Sequence, residues 1–340
     1  MKRLKILINF FLIICCFFPS IATADDNGCV ILLYHRFSDE EPKSTSTSPS
    51  IFNQHLEYLV DNKYKVLALN EVVKRLKLKS SFPEKCVSLT ADDGFLSFYT
   101  EAYPLLKKYQ LPMSVFISTE PIDKKYKVMM SWEQLRDMSP LVDIYNHSVS
   151  HLHMVDLNNL TIKNEINIAQ QRLYKELNII DKFFAYPYGE FDDNTYSLLE
   201  ELEYVGFGQH SGVSGISSDL LNIPRFSMSG PYAKMDSFSL KIKTLHMPIE
   251  SENPKSLIIS GDFKPKLVLN FSRPLSAYEK NNFSCFISGQ DQPKINWLSS
   301  QSLSVKSKEP LQIGRSRYNC TMPSSKKGRY FWYSKLWLRQ

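Results

Sequence analysis

The 340-residue sequence contains no bank of like charges, no internal repeat and no long low-complexity tract. Lysines and arginines alternate with aspartates and glutamates, so there is no basic stripe of the kind that nucleic acid requires. Without a repeat, solenoid and propeller arrays are excluded. Only one apolar run approaches membrane length, residues Ile6 to Phe18, and it is too short to span a bilayer comfortably. It follows a basic start (Lys2, Arg3, Lys5) and precedes Pro19, Ser20 and Ala22-Thr23-Ala24. Those are the features of an export signal with its small-residue cleavage site. Residues 1–24 therefore read as a signal peptide, cleaved after Ala24 to leave Asp25 at the mature N-terminus. An uncleaved anchor is the alternative. A lipoprotein site at Cys15 or Cys16 fits worse, because Ile14 stands where a small residue is wanted and the apolar run continues past both cysteines.

Cysteine is also scarce. Of six, two lie in the signal segment, leaving Cys29, Cys86, Cys285 and Cys320. An even number in an exported chain favours disulfides. The formal charge of +6 includes Lys2, Arg3 and Lys5, so loss of the signal brings it to about +3, which is mild. A mature chain of this length suggests two domains.

What is present is alternation. Val30 to Tyr34 is a continuous buried-strand run ending at His35. A helix face follows at Ile51, Phe52, Leu56, Leu59 and Val60, then a short strand Val66 to Leu69 and a helix capped by Asn70. Further strands are expected at Cys86 to Thr90, Met113 to Ile117, Val142 to Tyr145, Phe183 to Ala185 and Tyr204 to Gly208. Helices are expected at about 99–109, 161–177 and 194–202. Such alternation implies parallel pairing in an α/β fold. After Pro248 the texture changes to short strands with no convincing helix, at 257–259, 266–271, 283–287, 295–298 and 330–338. We expect residues 25–250 to be one domain and 256–340 a small all-β, sandwich-like domain.

Three clusters fall where strands end. Asp92-Asp93-Gly94 places two carboxylates side by side, which repel unless a cation relieves them. An isolated pair of this kind is more often simply solvated. His147 and His151, four apart, meet one metal if they share a helical turn, though such pairs are commonly surface residues. Tyr186-Pro187-Tyr188-Gly189 is by itself an ordinary turn. One carboxylate and two imidazoles supply three ligands and leave positions open, as catalytic metal sites do.

Thr90-Ala91-Asp92-Asp93-Gly94, His147-x3-His151 and Pro187-Tyr188-Gly189, in this order, resemble the first three motifs of the polysaccharide deacetylases. This is the NodB-homology family, carbohydrate esterase family 4. Leu33-Tyr34-His35 and the stretch 45–50 resemble a branch near the poly-N-acetylglucosamine deacetylases. The resemblance covers about residues 29–248. It implies a distorted (β/α) barrel with the site at the strands' C-terminal ends. It implies that Asp93, His147 and His151 hold a divalent metal, zinc first, with cobalt, nickel or ferrous iron as alternatives. Asp92 would be the general base toward the attacking water, and the Tyr188 backbone N–H would stabilise the oxyanion. His35 would be the acid for the leaving amine, because His246 lacks the family's Leu-x-His context: residue 244 is Thr. The implied partner is an N-acetylated glycan, with no nucleic acid and no transmembrane helix once the signal is removed. The implied place is the periplasm or cell surface.

Two departures qualify this reading. Ala185 stands where the family's third motif carries an arginine that tethers the base, and Arg225 in Ile223-Pro224-Arg225 is the candidate replacement. With Tyr186 and Pro187 it also completes the expected substrate-binding set. The familiar phenylalanine of the first motif is Ala91. The missing arginine and the aromatic tail Tyr330 to Trp337 motivate an alternative, a carbohydrate-binding protein that keeps the cleft but not turnover. The tail reads as sandwich core or as a platform for sugar rings. Cys29 and Cys86 each stand six residues before His35 and Asp92, so aligned parallel strands would make them level and able to bridge. Cys285 and Cys320 would staple the small β domain.

Overall fold

The computed structural model describes residues 28–40 and 42–340, so the expected signal peptide lies outside the described residues. A curled sheet forms the first part. Its strands run in the order Val213–Gly215, Gly28–Tyr34, Cys86–Ala91, Met113–Ile117, Val142–Asn146, Phe183–Ala185, Val205–Phe207. All neighbours are parallel except the first pair. Continuous apolar sequence explains this, since both faces are covered: Val30 to Tyr34 and Met113 to Ile117 are buried throughout. The curl is nearly closed by one short segment. Ile223 bridges Phe207 at one edge, and Phe226–Ser227 pairs in parallel with Leu32 and Leu33 at the other. The result is the distorted (β/α) barrel, with strand ends gathered on one rim.

Helices pack outside by their periodic faces. Pro49–Asp61 starts at Ser48, whose side chain accepts from the Ile51 amide, with Pro49 at the first position. It buries Phe52, His55, Leu56 and Leu59, while Val60 is turned out to solvent. The expected strand Val66 to Leu69 is shorter, Lys65–Val66, and the next helix begins at Leu69 without a side-chain cap, so Asn70 is not its cap. The expected helix at 99–109 is a single wide turn, Phe98–Ala102, leading into Tyr103–Tyr109. The helix Asn159–Leu177 is capped by Asn158.

The C-terminal part is all-β apart from one short helix, Ala277–Asn281, which the sequence reading did not anticipate. It has two four-stranded sheets. One runs Leu245–His246, Tyr330–Arg339, Gly314–Pro323, Ser284–Ile287, and the other Ile249–Asn253, Lys266–Phe271, Ser302–Lys306, Lys294–Trp297. Their facing residues make one core, with Leu267, Leu269, Leu303 and Val305 from one sheet and Tyr318, Met322, Phe331 and Trp337 from the other. Pairing with the C-terminal sheets begins at Leu245, a few residues earlier than the change of sequence texture. Residues 257–259 contribute only an isolated bridge, Ile258 to Leu338.

Both cysteine pairs are bridged. Val30 pairs with Val87, which sets Cys29 level with Cys86, and their Cα atoms are 4.7 Å apart. Cys285 lies directly opposite Cys320 with Cα atoms 4.0 Å apart.

Candidate active site

The site is built on the rim where the parallel strands end. Cys86–Ala91 delivers Asp92 and Asp93. The chain turns there through Asp93 and Gly94, with φ of 75° and 85°, and a Cβ on Gly94 would meet Ile117 at 2.9 Å. Gly94 is therefore required by both backbone and space. Asp92 is fully buried, and its amide donates to the Tyr34 carbonyl at 3.0 Å.

A buried carboxylate needs a partner, and Arg225 supplies it. The guanidinium meets Asp92 in a two-point fork, Nη1 to Oδ1 at 2.7 Å and Nη2 to Oδ2 at 2.8 Å. Its Nε donates to the Gly208 carbonyl at 2.9 Å and Nη1 also reaches Thr90 Oγ1 at 3.3 Å. Arg225 is carried by the segment that closes the barrel, which is why a residue distant in sequence arrives beside the first motif. Burial alone would push Asp92 upward, but the charge and hydrogen bonds of Arg225, with His147 and His35, hold its pKa below the ordinary carboxylate range.

The two histidines do not share a helical turn. Val142–Asn146 is followed by an irregular loop in which Ser148 and His151 have left-handed backbones, with φ of 73° and 59°. The loop is held from below. Asn146 Oδ1 accepts from the Ser148 amide at 2.9 Å, and Ser148 Oγ accepts from the His151 amide at 2.9 Å. Glu165, buried on the helix Asn159–Leu177, accepts from the amides of Val149 and Ser150 at 3.1 and 2.9 Å and from Ser150 Oγ at 2.7 Å. Local strain is thus offset by buried hydrogen bonds, and both imidazoles point at Asp93.

Asp93, His147 and His151 offer ligand atoms that all lie within 4.8 Å of one another. Asp93 Oδ1 is 3.3 Å from His147 Nε2 and 3.2 Å from His151 Nε2. His147 donates its other ring nitrogen, Nδ1, to the Ala185 carbonyl at 2.7 Å, while its buried Nε2 makes no hydrogen bond. A fixed tautomer with an orphaned nitrogen beside a carboxylate is what a metal-ligating histidine presents. The residues present fit a divalent cation.

Pro187–Gly189 forms a tight turn after Phe183–Ala185, with Tyr188 at φ 60°. The Tyr188 ring lies edge-on to His151 at 4.5 Å and stacks on His153 at 3.9 Å. His153, which belongs to none of the three motifs, also pairs with Glu190 at 2.6 Å. A second unforeseen group comes from the C-terminal sheets: Arg315 Nη1 donates to the Tyr188 carbonyl at 2.6 Å, and its Nε is 3.3 Å from Glu190. No sequence signal distinguishes Arg315 from other strand arginines.

His35 sits at the end of the first strand, partly buried. Burial pushes it downward, Asp93 and Asp92 pull it back up, and the net direction is down. His246 takes no part in this cluster, being fixed by the Val213 carbonyl and Ser217. The expected substrate-binding set needs correction. Arg225 and Tyr186 are fully buried and Pro187 is buried, so their side chains do not face a substrate. Arg225 is committed to Asp92, and the Tyr186 hydroxyl donates to the Leu221 carbonyl at 2.8 Å.

Known proteins place this architecture. The family profile for polysaccharide deacetylases matches residues 79–207, the span that carries all three clusters. YxkH of Bacillus subtilis, assigned by name to the polysaccharide deacetylases, is 30% identical over 208 residues, covering 58% of this chain and 71% of its own. The poly-beta-1,6-N-acetyl-D-glucosamine N-deacetylase of Staphylococcus aureus is 29% identical over 249 residues, 62% of this chain and 85% of the relative. Among solved structures, the Streptococcus pyogenes deacetylase PplD in complex with acetate superposes with a TM-score of 0.59 at 25% identity, covering 64% of this chain and 99% of that one. IcaB from Ammonifex degensii gives 0.56 at 26% identity, covering 63% and 95%. The chain belongs to the polysaccharide deacetylase family.

Proposed function

We propose that the protein is a metal-dependent deacetylase that hydrolyses N-acetyl groups from N-acetylglucosamine units of an envelope or extracellular polysaccharide. The observation that carries this reading is the convergence of Asp93, His147 and His151 beside a carboxylate, Asp92, locked by Arg225. The substrate class is supported by the relatives named for N-deacetylation of poly-N-acetylglucosamine. A divalent cation on the three ligands, zinc first, would polarise the acetamide carbonyl and acidify water.

The chain's own groups supply the rest. Asp92, kept ionised by Arg225, is the base that accepts a proton from the attacking water. Its fixed carboxylate plane means that no reorientation precedes the transfer. Tyr188, on a turn whose carbonyl accepts from Arg315, would stabilise the oxyanion through its backbone N–H. His35, at the end of the first strand, would be the acid that protonates the departing amine, the proton taken up by Asp92 from water being passed on to it. The alternative of a non-catalytic sugar binder rested on a missing arginine and an aromatic tail; Arg225 on Asp92 weighs against the first ground, and Phe331 and Trp337 packed in the sandwich core weigh against the second. Export to the periplasm or cell surface is supported by the two disulfides, which persist in oxidising compartments. Among the described residues no helix is long and apolar enough to cross a membrane.

The test is acetate release from N-acetylglucosamine oligomers by the mature chain. Release should be abolished by a chelator, restored by zinc or cobalt, and reduced by about 10²–10⁴-fold in Asp92→Asn with metal still bound. Full activity in Asp92→Asn, or metal-independent release, would remove the assignment.

A further inference from the structure

A cavity of about 600 Å³ lies between the curled sheet and the C-terminal sheets, and Asp92, Asp93, His147, His151, Tyr188 and His35 are all absent from its lining. Its walls come from the start of the helix Asp193–Glu201, the loop between the barrel's last strands, residues 246–256, and Trp332 to Ser334 of the long C-terminal strand. Its size falls within the range of small-ligand sites, roughly 300–1,000 Å³.

Most polar groups in these walls are already paired. Trp332 Nε1 donates to Ser211 Oγ at 3.2 Å, Ser211 meets Ser334 at 2.8 Å, and Glu252 accepts from Lys335 at 2.6 Å. Two are not. His210 is only 9% exposed, and among the described residues its ring makes no hydrogen bond. Asn222 Oδ1 is buried and also unpartnered. Leaving Asn222 Oδ1 dry costs about 1–3 kcal/mol, so an occupant that bonds to it gains at once. Burial and the positive charges of Lys335, Arg317 and Arg225 push His210 down to about 3, so its ring is neutral and offers one donor and one acceptor. Beside these groups stands an aromatic surface. Tyr196 is held by its hydroxyl on Asp219 Oδ2 at 2.8 Å, and Trp332 by its contact with Ser211.

A flat aromatic side chain next to neutral hydrogen-bonding groups matches a sugar ring, which has an apolar C–H face and a polar rim of hydroxyls and acetamide. We propose that this cavity is a second, non-catalytic saccharide site that holds one or two rings of an N-acetylated glycan. Tyr196 forms its platform, and His210 and Asn222 are its hydrogen-bonding partners. The choice of ligand rests on the glycan reading of the metal cluster. A strand held here is kept beside the barrel between turnovers.

The test uses the full mature chain, stripped of metal by a chelator and titrated calorimetrically with the N-acetylglucosamine tetramer. Binding to the wild type is expected, weakened at least about tenfold in both Tyr196→Ala and Asn222→Ala, with melting curves checked for each. If one variant does not fold, the other decides. Absent binding in the wild type, or unchanged binding in a folded variant, overturns the site. Acetate release by the metal-loaded protein is read alongside. Cavity binding without acetate release under any metal counts against the catalytic reading alone, and acetate release without cavity binding counts against this site alone.

Discussion

At the scale of single residues, the arginine on Asp92, the proposed base, carries the most consequence. Asp92 and Arg225 are both fully buried and joined at two points, so each removes the other's desolvation penalty. Arg225→Met leaves a carboxylate buried without its cation, which costs about 3–5 kcal/mol, and the melting temperature should fall accordingly. Arg225→Lys keeps the charge but not the fork. We expect it to fold, to bind metal normally and to lose at least about tenfold in kcat with KM little changed; unchanged kcat would show that the fork does not position the base. The proposed ligands and the proposed base were legible in the sequence because they lie in three short motifs. The tether was legible only as a vacancy at Ala185 and a candidate at 225. What joins the two is a closing segment of the sheet, and its paired strand is only Phe226–Ser227, far too short for a periodicity to declare it.

At the scale of elements, strands with continuous apolar runs were read almost to the residue, as Met113–Ile117 and Phe183–Ala185 show. Their burial on both faces leaves no other pattern. Helix faces were read less well where a polar residue sits in the core. On Pro49–Asp61 the buried position between Phe52 and Leu59 is shared by His55, stacked on Phe238 at 4.0 Å. Its Nε2 donates to the Ala233 carbonyl at 2.7 Å, and its Nδ1 accepts from the Tyr34 hydroxyl at 2.9 Å. Burial pushes this histidine down to about 4 from its ordinary 6.5. The unfolded chain therefore takes up a proton at higher pH than the folded one. Its contribution is complete above pH 6.5 and is lost as pH falls toward 4, about 3 kcal/mol in all. Melting temperature should fall across that window, and His55→Gln should flatten the fall; an equal pH dependence in the variant would assign it elsewhere. His147 and His151 converge without the helical turn that their spacing suggested, because the loop's conformation is set by Glu165 and Asn146, which no local pattern reveals.

At the scale of the whole molecule, the C-terminal sheets are more than an appendage. Trp332 packs edge-on against Phe226 of the closing segment, and Leu336 joins the core around Phe184 and Tyr186. Arg315 reaches the carbonyl of Tyr188 and the carboxylate of Glu190, so a residue 127 positions downstream steadies the turn that carries the proposed oxyanion donor. Arg315→Ala should lower kcat by up to about 10²-fold while leaving metal affinity and the melting curve near wild type. Wild-type kcat in that variant would mean that the turn holds its shape unaided. The sequence separated the two regions by texture but gave no sign of this contact, since nothing along a strand marks which arginine will face a distant turn.

The Cys29–Cys86 bridge ties the first two barrel strands together at the end opposite the reaction, six residues behind His35 and Asp92. His35 and Asp92, the proposed acid and base, are thus kept in mutual register by a covalent link that no rim loop has to provide. The rim loops are thereby free to vary in length and sequence without loosening the register of the two strand ends beneath them.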